Sequence, residues 1–180
     1  LRVVFPAAVE ANGWAVYDVR GAESPCPLST GLSVSERRLE NRHYLVELDD
    51  NGDIARVFDK TIQKDLLAAP IRMALFDYDG KGTYPAWELG YKEVMAPARE
   101  YAAAPTFRIL EDGPARVSVQ TVRTARGSVF TQTISLTDGG DTVEVFNEID
   151  WRSLRTLLKT PFELAVVDDK ATYDLGLGVI

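Results

Sequence analysis

From Ser128 to Thr137 the chain alternates without a break: Val129, Thr131, Thr133 and Ser135 fall on one side, and Phe130, Gln132, Ile134 and Leu136 on the other. Successive strand side chains point to opposite faces, so a period of two over this length commits the segment to a sheet with one apolar face. Asp138-Gly139-Gly140-Asp141 then turns the chain into a second run, Thr142 to Trp151. The same pattern repeats upstream. Residues 42–58 read as a hairpin, with Tyr44, Val46 and Leu48 on one face, a turn at Asp49-Asp50-Asn51-Gly52-Asp53, and Ile54 to Phe58 resuming the apolar run. Further strands are predicted over Trp14–Arg20, Ile71–Tyr78, Thr106–Leu110 and Ala115–Val122. Residues 80–105, with Gly80, Gly82, Pro85, Gly90, Pro97 and Pro105, read as a long loop holding at most a helical turn. Leu154–Lys159 fits either a helical turn or a strand, and Pro161 limits any helix there. With no ten-residue helical pattern anywhere, the expected class is all-β, a mostly antiparallel sandwich. Gly21 to Gly31 is rich in turn formers and reads as a linker. Residues 1–30 are therefore expected to be the tail of a preceding small β-domain plus linker, and residues 31–180 the main sheet system.

Composition narrows the chemistry. The 180 residues are 46% hydrophobic and 26% charged, enough to bury a core, and the net charge of −7 argues against a nucleic-acid partner. One Cys, Cys26, allows no internal disulfide, and one His, His43, excludes a zinc site built on two or three histidines. No apolar run approaches the ~18 residues of a membrane span. Leu1 to Pro6 is too short for a signal peptide, and the start at Leu1 suggests a piece of a longer polypeptide. One Cys and no visible targeting segment point to the cytoplasm.

Among candidate sites, His43 at a strand start reads as a general base or as a structural histidine, the latter favoured because no second ligand type clusters nearby. Cys26 lies between Pro25 and Pro27 with Glu23 as the nearest charge, a setting for a free loop thiol rather than a nucleophile. Asp77 and Asp79 share a strand face, and Glu88 follows Trp87 with Tyr91 close by. A carboxylate beside aromatic rings suits sugar recognition, the ring stacking on C–H groups while the acid accepts hydroxyl hydrogen bonds. Trp87, Glu88 and Tyr91 are thus the candidate substrate-binding residues. The alternative is that Trp87 and Tyr91 pin the loop onto the sandwich while Asp77, Asp79 and Gly80 form a turn. Asp49 to Asp53 lacks the distal bidentate Glu of a calcium loop, and Gly176-x-Gly178 has no following helix to bind phosphate.

Several strings taken in order carry a resemblance. They are Leu39-Glu40-Asn41 with Tyr44, Val46, Gly52, Ile54 and Asp59-Lys60; Ala86-Trp87-Glu88; Glu111-x-Gly113-Pro114-x-Arg116; Gln132-x-Ile134-x-Leu136; Leu157-Leu158-Lys159-x-x-Phe162; and Ala171-x-Tyr173. Together they resemble the C-terminal β-region of family 38 glycoside hydrolases, the α-mannosidases. Gly13-Trp14-Ala15-Val16-Tyr17 is similar to a strand of the small β-domain placed just before it. Glu88 stands where the family usually has Asp, and Pro85 where an acid is common. The resemblance implies a truncated supersandwich of the galactose-mutarotase type, supporting and partly walling an active site carried elsewhere. It further implies an N-terminal catalytic domain with an Asp nucleophile and a divalent metal, zinc, on two His and two Asp. No catalytic residue, metal ligand or cofactor is then expected in this chain. Its partners would be the rest of the polypeptide and, for the whole enzyme, a mannose-containing glycan, with self-association of the isolated piece. A carbohydrate-binding module using Trp87, Glu88 and Tyr91, and a purely structural domain, are the competing expectations.

Overall fold

The computed structural model describes residues 3–81, 84, 87–174 and 176–177. Its elements in chain order are β1 (Ser33–Ser35), β2 (Arg38–Glu40), β3 (Tyr44–Leu48), β4 (Ile54–Asp59), β5 (Lys64–Asp65) and β6 (Ala74–Asp77). Then follow a short helix α1 (Tyr91–Met95), β7 (Glu100–Tyr101), β8 (Ala103–Asp112), β9 (Arg116–Ala125), β10 (Ser128–Thr137), β11 (Glu144–Asp150) and β12 (Thr156–Lys159). All strand pairs are antiparallel and form three sheets, β1-β2-β3-β4-β5, β11-β10-β9-β8 and β12-β6-β7.

The long pair β9–β10 organises the rest. Its two strands stay in register from Thr137↔Arg116 to Ser128↔Ala125, which places Val117, Val119, Thr121, Arg123 and Ala125 on the same face as Leu136, Ile134, Gln132, Phe130 and Ser128. One end of this face, Val117, Val119, Ile134 and Leu136, meets Leu39, Val46, Leu48, Ile54 and Val57 of the five-stranded sheet. The other end, Phe130 and Ala125, meets Met73, Leu75 and Ala102 around the three-stranded sheet, with Leu158 alongside. The fold is therefore an all-β sandwich in which one sheet spans two cores. Each fully buried Leu, Ile or Phe contributes about 1.5–3 kcal/mol by leaving water. Among the described residues no helix is long and apolar enough to cross a membrane.

Turn chemistry closes the sheets as the sequence anticipates, with two refinements. β9 and β10 are joined by Arg126 and Gly127, both with positive φ (48° and 79°), the two-residue turn whose twist matches a hairpin. Between β3 and β4 the Asn-Gly pair sits in a wider loop. There the Asp49 carboxylate accepts the Asn51 and Asp53 N–H groups at 2.8 and 3.0 Å, and Gly52 takes φ +74°. Such a side-chain-to-backbone turn is a favoured use of Asp.

Three expectations are corrected or refined. Trp14 to Arg20 forms no strand: the segment is extended, its backbone pairs with no sheet, and Trp14 and Val16 are 85% and 79% exposed. Alternation alone does not make a strand without a neighbour to accept its N–H groups. Only a local clasp holds this region, the Tyr17 hydroxyl bonding both the Ala8 N–H and the Ala8 carbonyl at 2.7 Å. Leu154–Lys159 resolves as a strand, because β12 pairs with β6 and puts Leu158 opposite Leu75. Residues 80–105 do include one helical turn, α1, but also β7 and the start of β8.

Candidate functional site

The sequence-derived candidates Trp87, Glu88 and Tyr91 lie in the connection between β6 and β7. A tight turn joins Trp87 and Glu88, both backbone N–H groups donating to the Tyr84 carbonyl at 2.8 Å. The Tyr78 hydroxyl donates to the Glu88 carbonyl at 3.0 Å, and Lys159 Nζ donates to the Val94 carbonyl at 2.8 Å, tying the loop and α1 to the three-stranded sheet. Tyr84, Trp87 and Glu88 line one open cavity of ≈ 420 Å³. Tyr91 does not line it; its ring stands on α1. Neither ring pins the loop, for Trp87 is 89% and Tyr91 77% exposed. Loop anchoring falls instead to the backbone and to Lys159, whose ammonium also lies 4.7 Å from the centre of the Phe76 ring.

The remaining candidates resolve as structure. His43 is half-buried at the start of the hairpin, beside the Tyr44 ring, and its carbonyl accepts the Lys60 N–H. Cys26 is an exposed free thiol. Asp77 pairs with Arg126 at 2.6 Å, and Asp79 accepts the backbone N–H of Lys81 at 3.1 Å and its ammonium at 2.9 Å. That ammonium, bonded directly to the carboxylate, holds the Asp79 pKa below the usual range. Among the described residues no three His, Cys, Asp or Glu side chains converge to hold a metal ion.

Asp53 behaves differently from its acidic neighbours. It is fully buried, and its two oxygens accept Arg123 Nη1 at 2.5 Å and Arg72 Nε at 2.9 Å. Arg123, 1% exposed, also donates to Gln132 Oε1 at 3.0 Å, and Gln132 Nε2 donates to Asn147 Oδ1 at 2.8 Å. Arg72 lies 3.6 Å from the centre of the Tyr101 ring. Burial pushes the Asp53 carboxyl up, against the pull of Arg72 and Arg123, and the same desolvation pushes the Arg123 guanidinium down. Arg123 Nε and Thr121 Oγ1 are buried with no partner among the described residues. With every charge committed to a protein partner, the chain of polar contacts works as a brace between the two cores.

The model of the glycosyl hydrolases family 38 C-terminal domain matches residues 39–180. The chain belongs to this family. No curated protein matches it. Seen as a family 38 domain, its recurring strings acquire structural roles. Asn41 is fully buried, its Nδ2 donating to the Thr137 and Gly140 carbonyls at 3.0 and 2.9 Å while its Oδ1 accepts the His43 and Tyr44 N–H groups at 2.9 and 2.7 Å. One amide thereby clips the β10–β11 turn to the β2–β3 turn. Lys60 donates to the Asn41 carbonyl and pairs with Glu40, both at 2.6 Å, and that bond with Lys60 lowers the Glu40 pKa. Glu111 and Arg116 close the β8–β9 turn as a bidentate pair at 2.6 Å. The brace around Asp53 was missed by the sequence reading. Its signal was present: Arg123 falls in phase with Val117 and Val119, a charge on the apolar face of a strand.

Proposed function

We propose that this chain is the non-catalytic β-sandwich portion of a family 38 α-mannosidase. On this reading it supports and partly walls an active site built on an N-terminal catalytic domain of the same polypeptide. The observation that carries the proposal is the match of the family's C-terminal domain to residues 39–180. Retaining hydrolysis of an α-mannoside by the parent uses a carboxylate nucleophile assisted by a divalent cation, zinc in this proposal. A centre of two His and two Asp does not fit the donors here, since the chain has one His and its buried Asp53 is held by two arginines. The cation and the bond-breaking step therefore belong to the catalytic domain.

Exposed apolar side chains support a large partner surface. Trp14 and Val19 near one end and Phe162, Val166 and Val167 near the other are 85%, 66%, 63%, 70% and 105% exposed. Contiguous apolar exposure of this kind marks surfaces that another domain covers. The pure chain is expected to release no chromophore from a nitrophenyl α-mannoside, with or without added Zn²⁺ or Co²⁺. Clear turnover would overturn the non-catalytic assignment.

A second reading, an autonomous carbohydrate-binding module, draws on the exposed Trp87 and Tyr91 rings flanking Glu88. It requires saturable heat on calorimetric titration with mannose or mannobiose, abolished by Trp87→Ala.

A further inference from the structure

The outward face of the four-stranded sheet has a relief that none of the residues above accounts for. On its central strands the outward pairs are short and polar, Ser118 opposite Ser135 and Gln120 opposite Thr133. On the outer strands they are long: Glu111 of β8 stands opposite Ser118, and Glu144 and Phe146 of β11 stand opposite Ser135 and Thr133. Short side chains between long ones leave a trough that runs with the strands. A cavity of ≈ 530 Å³ occupies it, lined from all four strands. Because every wall is carried on paired strands rather than on a loop, the relief is already formed before any ligand arrives.

The lining selects a class of ligand. One end is closed by the Glu111–Arg116 ion pair, whose carboxylate also accepts the Ser118 hydroxyl at 2.9 Å, so those charges are already neutralised by protein. Gln120 Nε2 and Thr133 Oγ1 lie 3.5 Å apart, the outer limit of a hydrogen bond, which leaves both with capacity for a stronger partner. Phe146 is 63% exposed and stands on β11 between Glu144 and Glu148. An apolar ligand would strip water from the Ser, Thr and Gln groups without replacing their hydrogen bonds. A phosphate would face two exposed carboxylates. A pyranose ring has the needed mixture, a C–H face for the phenyl ring and a rim of hydroxyls for amide, hydroxyl and carboxylate groups.

We propose that this trough binds a pyranoside, stacked on Phe146 and hydrogen-bonded through Gln120, Thr133, Glu144 and Glu148. The sugar class rests on the reading of the chain as part of a glycosidase; the place does not, and it differs from the Trp87 loop. Amide NMR titration of the chain with methyl α-mannopyranoside and, separately, methyl β-galactopyranoside tests it. Saturable shifts are expected at Gln120, Thr133 and Phe146. Gln120→Ala and Phe146→Ala, both outward-facing changes, should each weaken binding by about 2–10-fold, the loss of one hydrogen bond or one contact face. Trp87→Ala should leave the affinity unchanged. Saturation by the galactoside alone would support the trough while removing the mannoside assignment of the parent. Shifts that stay linear with both glycosides to about 100 mM, far beyond a millimolar Kd, would overturn the proposal. So would saturable binding that Trp87→Ala abolishes and Phe146→Ala does not.

Discussion

Asp53 has no exposed surface, yet each of its carboxylate oxygens is held by a different arginine, Arg123 at 2.5 Å and Arg72 at 2.9 Å. The two arginines are not equivalent, because Arg123 is 1% exposed whereas the Arg72 side chain is 33% exposed and lies against the Tyr101 ring. Removing one partner of a buried pair costs about 3–5 kcal/mol, since the survivor keeps its desolvation penalty and loses its compensation. Asp53→Ala is therefore expected to lose that full amount in urea unfolding, as it strands Arg123. Arg123→Met should lose about half as much, because Asp53 keeps Arg72 as a partner and the methionine refills the volume. The reverse ranking would show that Asp53 is not the hub of the brace. The sequence marks Arg123 by its phase on β9, but Asp53 looks like one more turn acid. Nothing local distinguishes it from Asp49 or Asp50; what separates them is the arrival of β9 from 70 residues away.

At the level of elements, the alternating runs that end in polar turns were read correctly as strands, and β10 has the bounds that alternation predicted. β1 and β2, three residues each, were too short to show a period and exist because β3 offers β2 a partner and β2 offers one to β1. Trp14 to Arg20 is the converse case, a good pattern left without a partner. Two turn glycines allow a direct comparison. Gly127 has φ +79° with open space around it, so Gly127→Ala should cost about 1–2 kcal/mol for the left-handed backbone alone. Gly52 has φ +74°, and an added Cβ would also meet Pro105 Cβ at 3.2 Å and Thr121 Cγ2 at 3.3 Å. Gly52→Ala is accordingly expected to cost more than Gly127→Ala in the same denaturant series. Equal losses would mean that Pro105 and Thr121 yield freely.

For the molecule as a whole, β11 is the decisive border. It is the edge of its sheet, exposed along its length, and presents Val145 and Ile149 on the core-facing side, 39% and 40% exposed. An uncovered edge with apolar side chains invites pairing with another chain. In isolation the chain is expected to self-associate, its sedimentation coefficient rising with concentration, and Val145→Lys should suppress the rise. A concentration-independent monomer would contradict this. The same substitution leaves the outward trough untouched, because Val145 points to the opposite face from Glu144 and Phe146.

Period, turn residues and the order of short strings were sufficient for the class of fold, the hairpins and the family. Each of these depends on neighbours within a few residues or on the succession of strands along the chain. The reach of one sheet across two cores, the clip made by Asn41, the brace at Asp53 and the trough between β8 and β11 were not legible in the same way. They depend on which strands become neighbours and on register, where a shift of one residue turns every side chain to the other face. Ser118 and Gln120 are unremarkable in a strand until Ser135, Thr133 and Phe146 are set beside them. Long-range pairing thus converted ordinary polar residues into a shaped surface, and it did so because a sheet joins residues that are distant along the chain.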